Sequence, residues 1–501
     1  MADRVELITY ADRLGGDLPG LREVLRGRLR GLFGGVHVLP FFRPFDGADA
    51  GFDPEDHTEV DPRLGTWADV AALARDVHVM VDVIVNHLSA RSPQFLDWLE
   101  KGDESRYAGM FLTFGGAFPN GATEDELMRL YRPRPGLPFT PFTGADGRKR
   151  LVWTTFTSQQ VDLDVSAPIT REYLHAVIDA LAAAGIRRVR LDAVGYAVKT
   201  PGLTSFMTPE TFRFIDDVTA WCHGRSLEVL VEVHSYFEQQ VEIARQVDRV
   251  YDFALPPLVL HALLAHDAEP LLAWMRVRPR NAVTVLDTHD GIGVIDVGAD
   301  PNDRRRAGLL SPEQLDALVE SIHQASGGTS RLATGAAASN IDLYQVNCTF
   351  FDALGGDDDR YLLARTLQLF TPGIPQVYYV GLLAGSNDMD LLARSGVGRD
   401  VNRHHYTSTE IDAALARPVV AALLRLIRFR NTHPAFEGDC VVDGEAASLR
   451  LAWTSGPHHA VLDAELADGR GTLTFSGAGG PQTVPLCDLP EQPDAERCVE
   501  P

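Results

Sequence analysis

Apolar residues in this chain gather in eight short runs, and the stretches between them carry the wider spacing of amphipathic helices. The runs fall at 5–9, 36–40, 79–85, 189–192, 229–232, 250–255, 282–286 and 374–379. Short β-branched and aliphatic stretches bounded by Gly, Pro and polar residues read as buried strands. A basic, Leu-rich segment around 21–32 and another at 67–75 read as helices between them. Eight strands alternating with helical segments predict an α/β fold, the (β/α)8 TIM barrel.

Two intervals are too long for simple crossovers. Residues 86–166 are rich in Gly, Pro and aromatics, and 291–356 include a Gly/Ala/Ser-rich stretch at 327–340. Segments of that length inside a compact domain are usually functional, so both are read as inserted subdomains. The barrel then occupies 1–85, 167–290 and 357–435. Beyond it, alternating runs such as Thr472-Leu473-Thr474-Phe475 predict a small C-terminal β-domain at 436–501. No internal repeat is present.

Three of the runs lead into carboxylates: Asp192, Glu232 and, within Thr288-His289-Asp290-Gly291, Asp290. In a parallel barrel the catalytic groups sit at the C-terminal strand ends, so these three acids meet over one pocket. Paired acids flanking a bond are the usual equipment for cleaving a glycosidic linkage. Arg190 lies two residues before Asp192, on the same strand face, and a guanidinium there is expected to keep that acid ionised. Glu232 sits between Val231 and Val233, and apolar neighbours are expected to raise its pKa toward that of a general acid. Taken singly, these are also what an ion pair, a helix cap and an Asp-Gly turn look like. Asn86-His87 closes a fourth run, and four such endings in register make coincidence a poor explanation.

Composition narrows the function classes. A formal charge of −23 over 501 residues argues against nucleic acid as a partner. No stretch reaches the roughly 18–20 apolar residues of a membrane span. The five cysteines are scattered without a CxxC pair, and the N-terminus lacks the order of a signal peptide. The expectation is a reduced, cytoplasmic protein. No phosphate-loop motif implies a nucleotide, and no dense Asp/Asn cluster implies calcium, so neither cofactor nor metal is expected.

At Asp82-Val83-Ile84-Val85-Asn86-His87, Val189-Arg190-Leu191-Asp192-Ala193-Val194, Glu232-Val233-His234 and Thr288-His289-Asp290, the chain resembles the α-amylase superfamily of retaining glycoside hydrolases and transglycosidases. The resemblance implies Asp192 as nucleophile, Glu232 as acid/base and Asp290 as transition-state stabiliser. It implies His87, Arg190 and His289 as ligands of the sugar at the cleaved end.

Within the superfamily, the segments at 48–54, 131–139, 339–347 and 398–403 resemble the branch that phosphorolyses sucrose. That closer likeness implies Asp49 and Arg399 on the far glucosyl hydroxyls, with Gln160 also binding substrate. Phe52 and Phe156 would form the apolar platform. Arg134, Tyr196, His234, Asp342, Tyr344 and Gln345 would line the acceptor side. The implied partners are small molecules: sucrose, inorganic phosphate, glucose 1-phosphate and fructose. A homodimer is implied by the same likeness. A related phosphorylase using fructose 6-phosphate, glycerate or glycerol stays open, as do a retaining α-glucosidase or transglucosidase and a non-catalytic relative.

Overall fold

A computed structural model of the chain describes residues 4–491 except 133–135, 301–302, 304, 337–344 and 478. Eight parallel strands close on themselves: β1 (Glu6–Thr9), β2 (Gly35–Val38), β3 (His78–Ile84), β4 (Arg188–Asp192), β5 (Glu228–Val231), β6 (Arg249–Asp252), β7 (Ala282–Thr284) and β8 (Ile374–Tyr378). The seam is the β1–β8 pairing, with Glu6 opposite Gln376 and Ile8 opposite Tyr378. Every predicted run is a barrel strand, most of them trimmed by a few residues. Thus β5 stops at Val231 and β7 at Thr284, which leaves Glu232 and the 285–290 stretch free to turn into the rim.

The outer helices follow from local chemistry. Helix α1 (Leu18–Arg26) starts where the Asp17 carboxylate accepts the Gly20 N–H at 2.7 Å, with Pro19 in its first turn. It ends at Gly27, so the helix expected around 21–32 begins and ends earlier than its leucines suggest. Helix α2 (Trp67–Asp76) opens on a Thr66/Asp69 capping box. Helix α3 (Pro168–Ala183) buries Thr170, Leu174, Val177, Ile178 and Leu181, the one-face spacing of an amphipathic helix.

Helix α4 (Asp358–Phe370) differs, because every residue from Tyr361 to Phe370 is buried. It is sandwiched between the barrel and a C-terminal meander of five antiparallel strands, β9 (Asp439–Glu445), β10 (Ser448–Ser455), β11 (His458–Glu465), β12 (Arg470–Gly477) and β13 (Gly480–Pro485). Its buried polar side chains are engaged. Gln368 donates to the Thr284 and Gln376 carbonyls at 2.9 and 2.7 Å, and Arg365 pairs with Asp287 at 2.5 Å. Leu449, Leu451, Trp453 and Leu462 of the meander belong to the same continuous core as the barrel.

The two long intervals carry structure of their own. In the first, a ribbon pairs His87–Ser89 with Gln160–Asp162, and a hairpin joins Phe139–Thr143 to Lys149–Trp153. In the second, Ile292–Gly293 pairs with Gln345–Val346, and helices span Pro312–Ala325 and Thr329–Ala336. Much of the Gly/Ala/Ser-rich stretch is therefore helical rather than loop.

Candidate active site

A cavity of about 140 Å³ opens at the C-terminal end of the barrel, lined by Asp192, Glu232 and Asp290. Beneath it Arg190, almost wholly buried, binds three acids. One guanidinium nitrogen serves Asp82 and, at 2.9 Å, Asp192; another reaches Glu232 at 2.7 Å. Asp82 also takes the His37 ring at 2.9 Å. Strand register explains the layer, because Arg190 lies directly opposite Asp82 on β3. Arg190 thus bridges the acids from beneath the residues that line the cavity.

Ala193 takes a left-handed conformation (φ 53°), unusual for a residue with a Cβ, and its N–H donates to Glu232 at 3.0 Å. Burial and the Glu232 charge push the Asp192 carboxyl well above the ordinary range, against the pull of Arg190. The expectation that Arg190 alone would settle its charge is reversed. Two carboxylates on one guanidinium in a dry site repel each other, and that repulsion adds to burial in raising Asp192.

Asp290 behaves oppositely. Burial opposes its charge, but Arg399 foremost, and Arg403 behind it, outweigh it and hold the carboxyl far below the usual range. Arg399 reaches it at 2.9 Å. Asn402 and Arg403 pin the backbone, donating to the Thr288 and His289 carbonyls at 2.9 Å each.

On one side of the acids, Phe52 stacks on His289 with centroids 4.5 Å apart. Gln160 reaches Asp49 at 3.3 Å and His87 at 3.2 Å, and the His87 ring nitrogen donates to the Phe52 carbonyl at 2.9 Å. Arg399 approaches Asp49 at 3.9 Å. Burial lowers the pKa of both His87 and His289, the latter to about 3, so both are neutral donors. On the other side stand His234, Tyr196 and Phe156, with Gln345 accepting the Gly291 N–H at 3.3 Å. The structure therefore gathers Asp49, Phe52, His87, Phe156, Gln160, Tyr196, His234, His289, Gln345 and Arg399 around the three acids. Arg134, Asp342 and Tyr344 lie outside the described residues.

Sequence reasoning missed several neighbours. Tyr131 stacks on Tyr196 at 6.1 Å, and Phe206 packs against both rings. Buried Lys199 binds Asp162 at 2.6 Å, the Asn86 amide oxygen at 2.5 Å and the Tyr196 carbonyl, tying three rim segments together. Asp296, fully buried, accepts from His234 at 2.9 Å. A lysine seven residues past the strand-end acid was the available signal for Lys199; Asp296 had none. Among the described residues no group of three His, Cys, Asp or Glu is placed to hold a metal ion.

Comparison with known proteins follows the same lines. Residues 7–247 match the family model described as the α-amylase catalytic domain. A sucrose phosphorylase of Agrobacterium vitis is 57% identical over 479 residues, covering 95% of this chain and 98% of that protein. Another, of Bifidobacterium adolescentis, is 55% identical over 473 residues, 94% of each. The crystal structure of a sucrose 6F-phosphate phosphorylase from Thermoanaerobacter thermosaccharolyticum superposes with a TM-score of 0.87 at 36% identity, covering 97% of each chain.

Proposed function

The chain belongs to the sucrose phosphorylase family within the α-amylase superfamily, and from that premise we propose that it moves the glucosyl unit of sucrose to inorganic phosphate. The products are fructose and α-D-glucose 1-phosphate, which makes the protein a hexosyltransferase. The observation that carries the reading is Asp192, Glu232 and Asp290 around one cavity, two of them bridged by Arg190. That bridge fits the roughly 5–5.5 Å carboxyl spacing of retaining enzymes better than the roughly 6.5–9.5 Å of inverting ones.

In the first half-reaction Glu232 gives a proton to the bridging oxygen. Asp192 attacks the anomeric carbon, fructose leaves, and a β-glucosyl ester forms. In the second, Glu232 takes the proton of the incoming phosphate, whose oxygen attacks the same carbon from the vacated face. The α configuration is restored and Asp192 is released. Asp290, kept anionic by Arg399, opposes the positive charge that builds on the ring in both transition states. Asp49, Gln160, His87 and His289 are placed to hold the sugar hydroxyls, and the Tyr196, Tyr131 and Phe206 rings leave water little polar surface at the acceptor side.

Inorganic phosphate suits the site better than a phosphorylated sugar. Among the described lining residues, Arg399 and His234 carry the positive charge, and Arg399 already faces Asp290. The deciding experiment is incubation with sucrose with and without phosphate, followed by product identification. Phosphate-dependent α-glucose 1-phosphate supports the reading; glucose and fructose alone, or isomerised sucrose, overturns it. The reading places the enzyme in the cytoplasm, which the four unpaired described cysteines support. It also makes it a homodimer, to be tested by light scattering; the likeness to relatives alone supports that assembly.

A further inference from the structure

The acceptor side of the pocket poses an electrostatic problem. Phosphate must enter a cavity lined by Asp49, Asp192, Glu232 and Asp290, and unscreened repulsion in a dry site is costly. His234 stands where that charge can be answered. Its Nδ1 is 2.9 Å from the Asp296 carboxylate, and its ring lies flat on Phe253 with centroids 3.8 Å apart. Both the edge and the face of the imidazole are therefore fixed, and the Nε2 edge is left for the pocket.

We propose that Asp296 is a positioning residue that holds His234 as a fixed imidazolium aimed at the acceptor side, so that phosphate binding depends on it. This inference rests on the phosphorylase reading above. Asp296 is built for the task. Its other oxygen accepts the Ser235 N–H at 3.1 Å and the Gln240 amide at 2.7 Å, which fix the carboxylate without neutralising it. The charged groups that weigh most on His234 are Asp296 in the segment after β7, Glu232 at the end of β5 and Asp290 past β7. All three are acids. Burial works against the imidazolium, but these acids outweigh it, Asp296 foremost, and lift the pKa to about 9. The charge is thus present at neutral pH and lost only as pH rises through about 9.

Asp296→Asn is an informative change. The amide oxygen can keep the Ser235 and Gln240 bonds, while its NH2 then faces Nδ1. An imidazole accepts that bond only when neutral, with its proton on Nε2. The variant keeps the donor toward the pocket and loses the charge.

The test combines kinetics with histidine NMR. At pH 7.5–8, Asp296→Asn should raise the phosphate KM about tenfold, the difference between a charge-assisted and a neutral hydrogen bond. Fructose release into water should change much less. The variant-to-wild-type ratio of phosphate KM cancels the ionisation of phosphate itself. It should lie near one in acid, climb through about pH 6.5 as the variant's imidazole loses its charge, and fall back toward one as the wild type loses its own above about pH 9. In protein with labelled histidines, the resonance lost in His234→Gln should titrate near 9 in the wild type and at or below 6.5 in Asp296→Asn. Equal phosphate dependence in the two proteins overturns the proposal, as does a wild-type His234 titrating near 6.5. If Asp296→Asn does not fold, the wild-type titration decides alone. If the wild type makes no glucose 1-phosphate, the functional reading fails, and the same titration still settles whether Asp296 holds the imidazolium.

Discussion

At Arg190 one buried guanidinium answers three carboxylates, and its replacement exposes what that arrangement costs. Arg190→Gln should lower stability by about 3–5 kcal/mol in denaturant unfolding, because removing one partner of a buried ion cluster strands the others. Asp192→Asn should behave differently. The isosteric amide still packs, so unfolding should shift little while turnover of sucrose disappears; substantial residual turnover would remove Asp192 from the nucleophile's role. A third expectation concerns acid. Asp82 is buried, yet His37 and Arg190 hold its pKa at about 2, below the unfolded value near 3.9. A depressed carboxyl stabilises the fold above its unfolded pKa and loses that contribution as pH falls through the folded one. Wild-type stability should therefore drop by about 2–3 kcal/mol from this group between about pH 5 and pH 1, and Asp82→Asn should remove that part of the slope. These partners show how unevenly chemistry is written in sequence. Arg190 and Asp192 are neighbours on one strand and legible as a pair, whereas Asp82 and Glu232 join them only through strand register and barrel closure.

Helix α4 is the element whose pattern hides its place. A helix with apolar residues all round and several polar ones reads as ambiguous, because periodicity presumes one wet face. Here both faces are dry, and Arg365 and Gln368 are spent on Asp287 and on the carbonyls of β7 and β8. Gly381, in the short helix Tyr379–Leu382 after β8, packs against α4, and an added Cβ there would collide with the Arg365 guanidinium and the Asp287 carboxylate. Gly381→Ala should break that ion pair and destabilise by about 3 kcal/mol or more, read as a lower denaturant midpoint. An unchanged midpoint would mean that the helix can move aside.

Across the molecule, the five-stranded meander is bound to the barrel by shared core rather than by a linker. Trp453 of β10 donates to the Phe370 carbonyl at 2.7 Å, and Phe370 itself packs on Phe436. A chain ending near residue 436 would uncover the outer face of α4, a large apolar area on a single helix. Such a truncation should fail to give a cooperatively folding barrel, as judged by calorimetry and by aggregation during expression. A sharp, concentration-independent transition would show that the barrel stands alone.

The sequence by itself determined the barrel and its chemistry at the strand ends. Strand count, strand order and the positions of Asp192, Glu232 and Asp290 follow from local hydrophobic period and from where each run meets a polar residue, and neither needs knowledge of distant contacts. Tertiary structure decided the rest. It put Arg190 behind the carboxylates, because a β-strand alternates faces but only the closed barrel says what lies beneath each one. It raised Asp192 rather than lowering it, because a pKa sums burial and every nearby charge, and Glu232 sits forty residues away in the chain. It brought Asp296 to His234 and Lys199 to Asp162 across 62 and 37 residues of chain, pairings that no local period specifies. Pairings made across such distances are fixed by packing, and packing is a property of the whole fold.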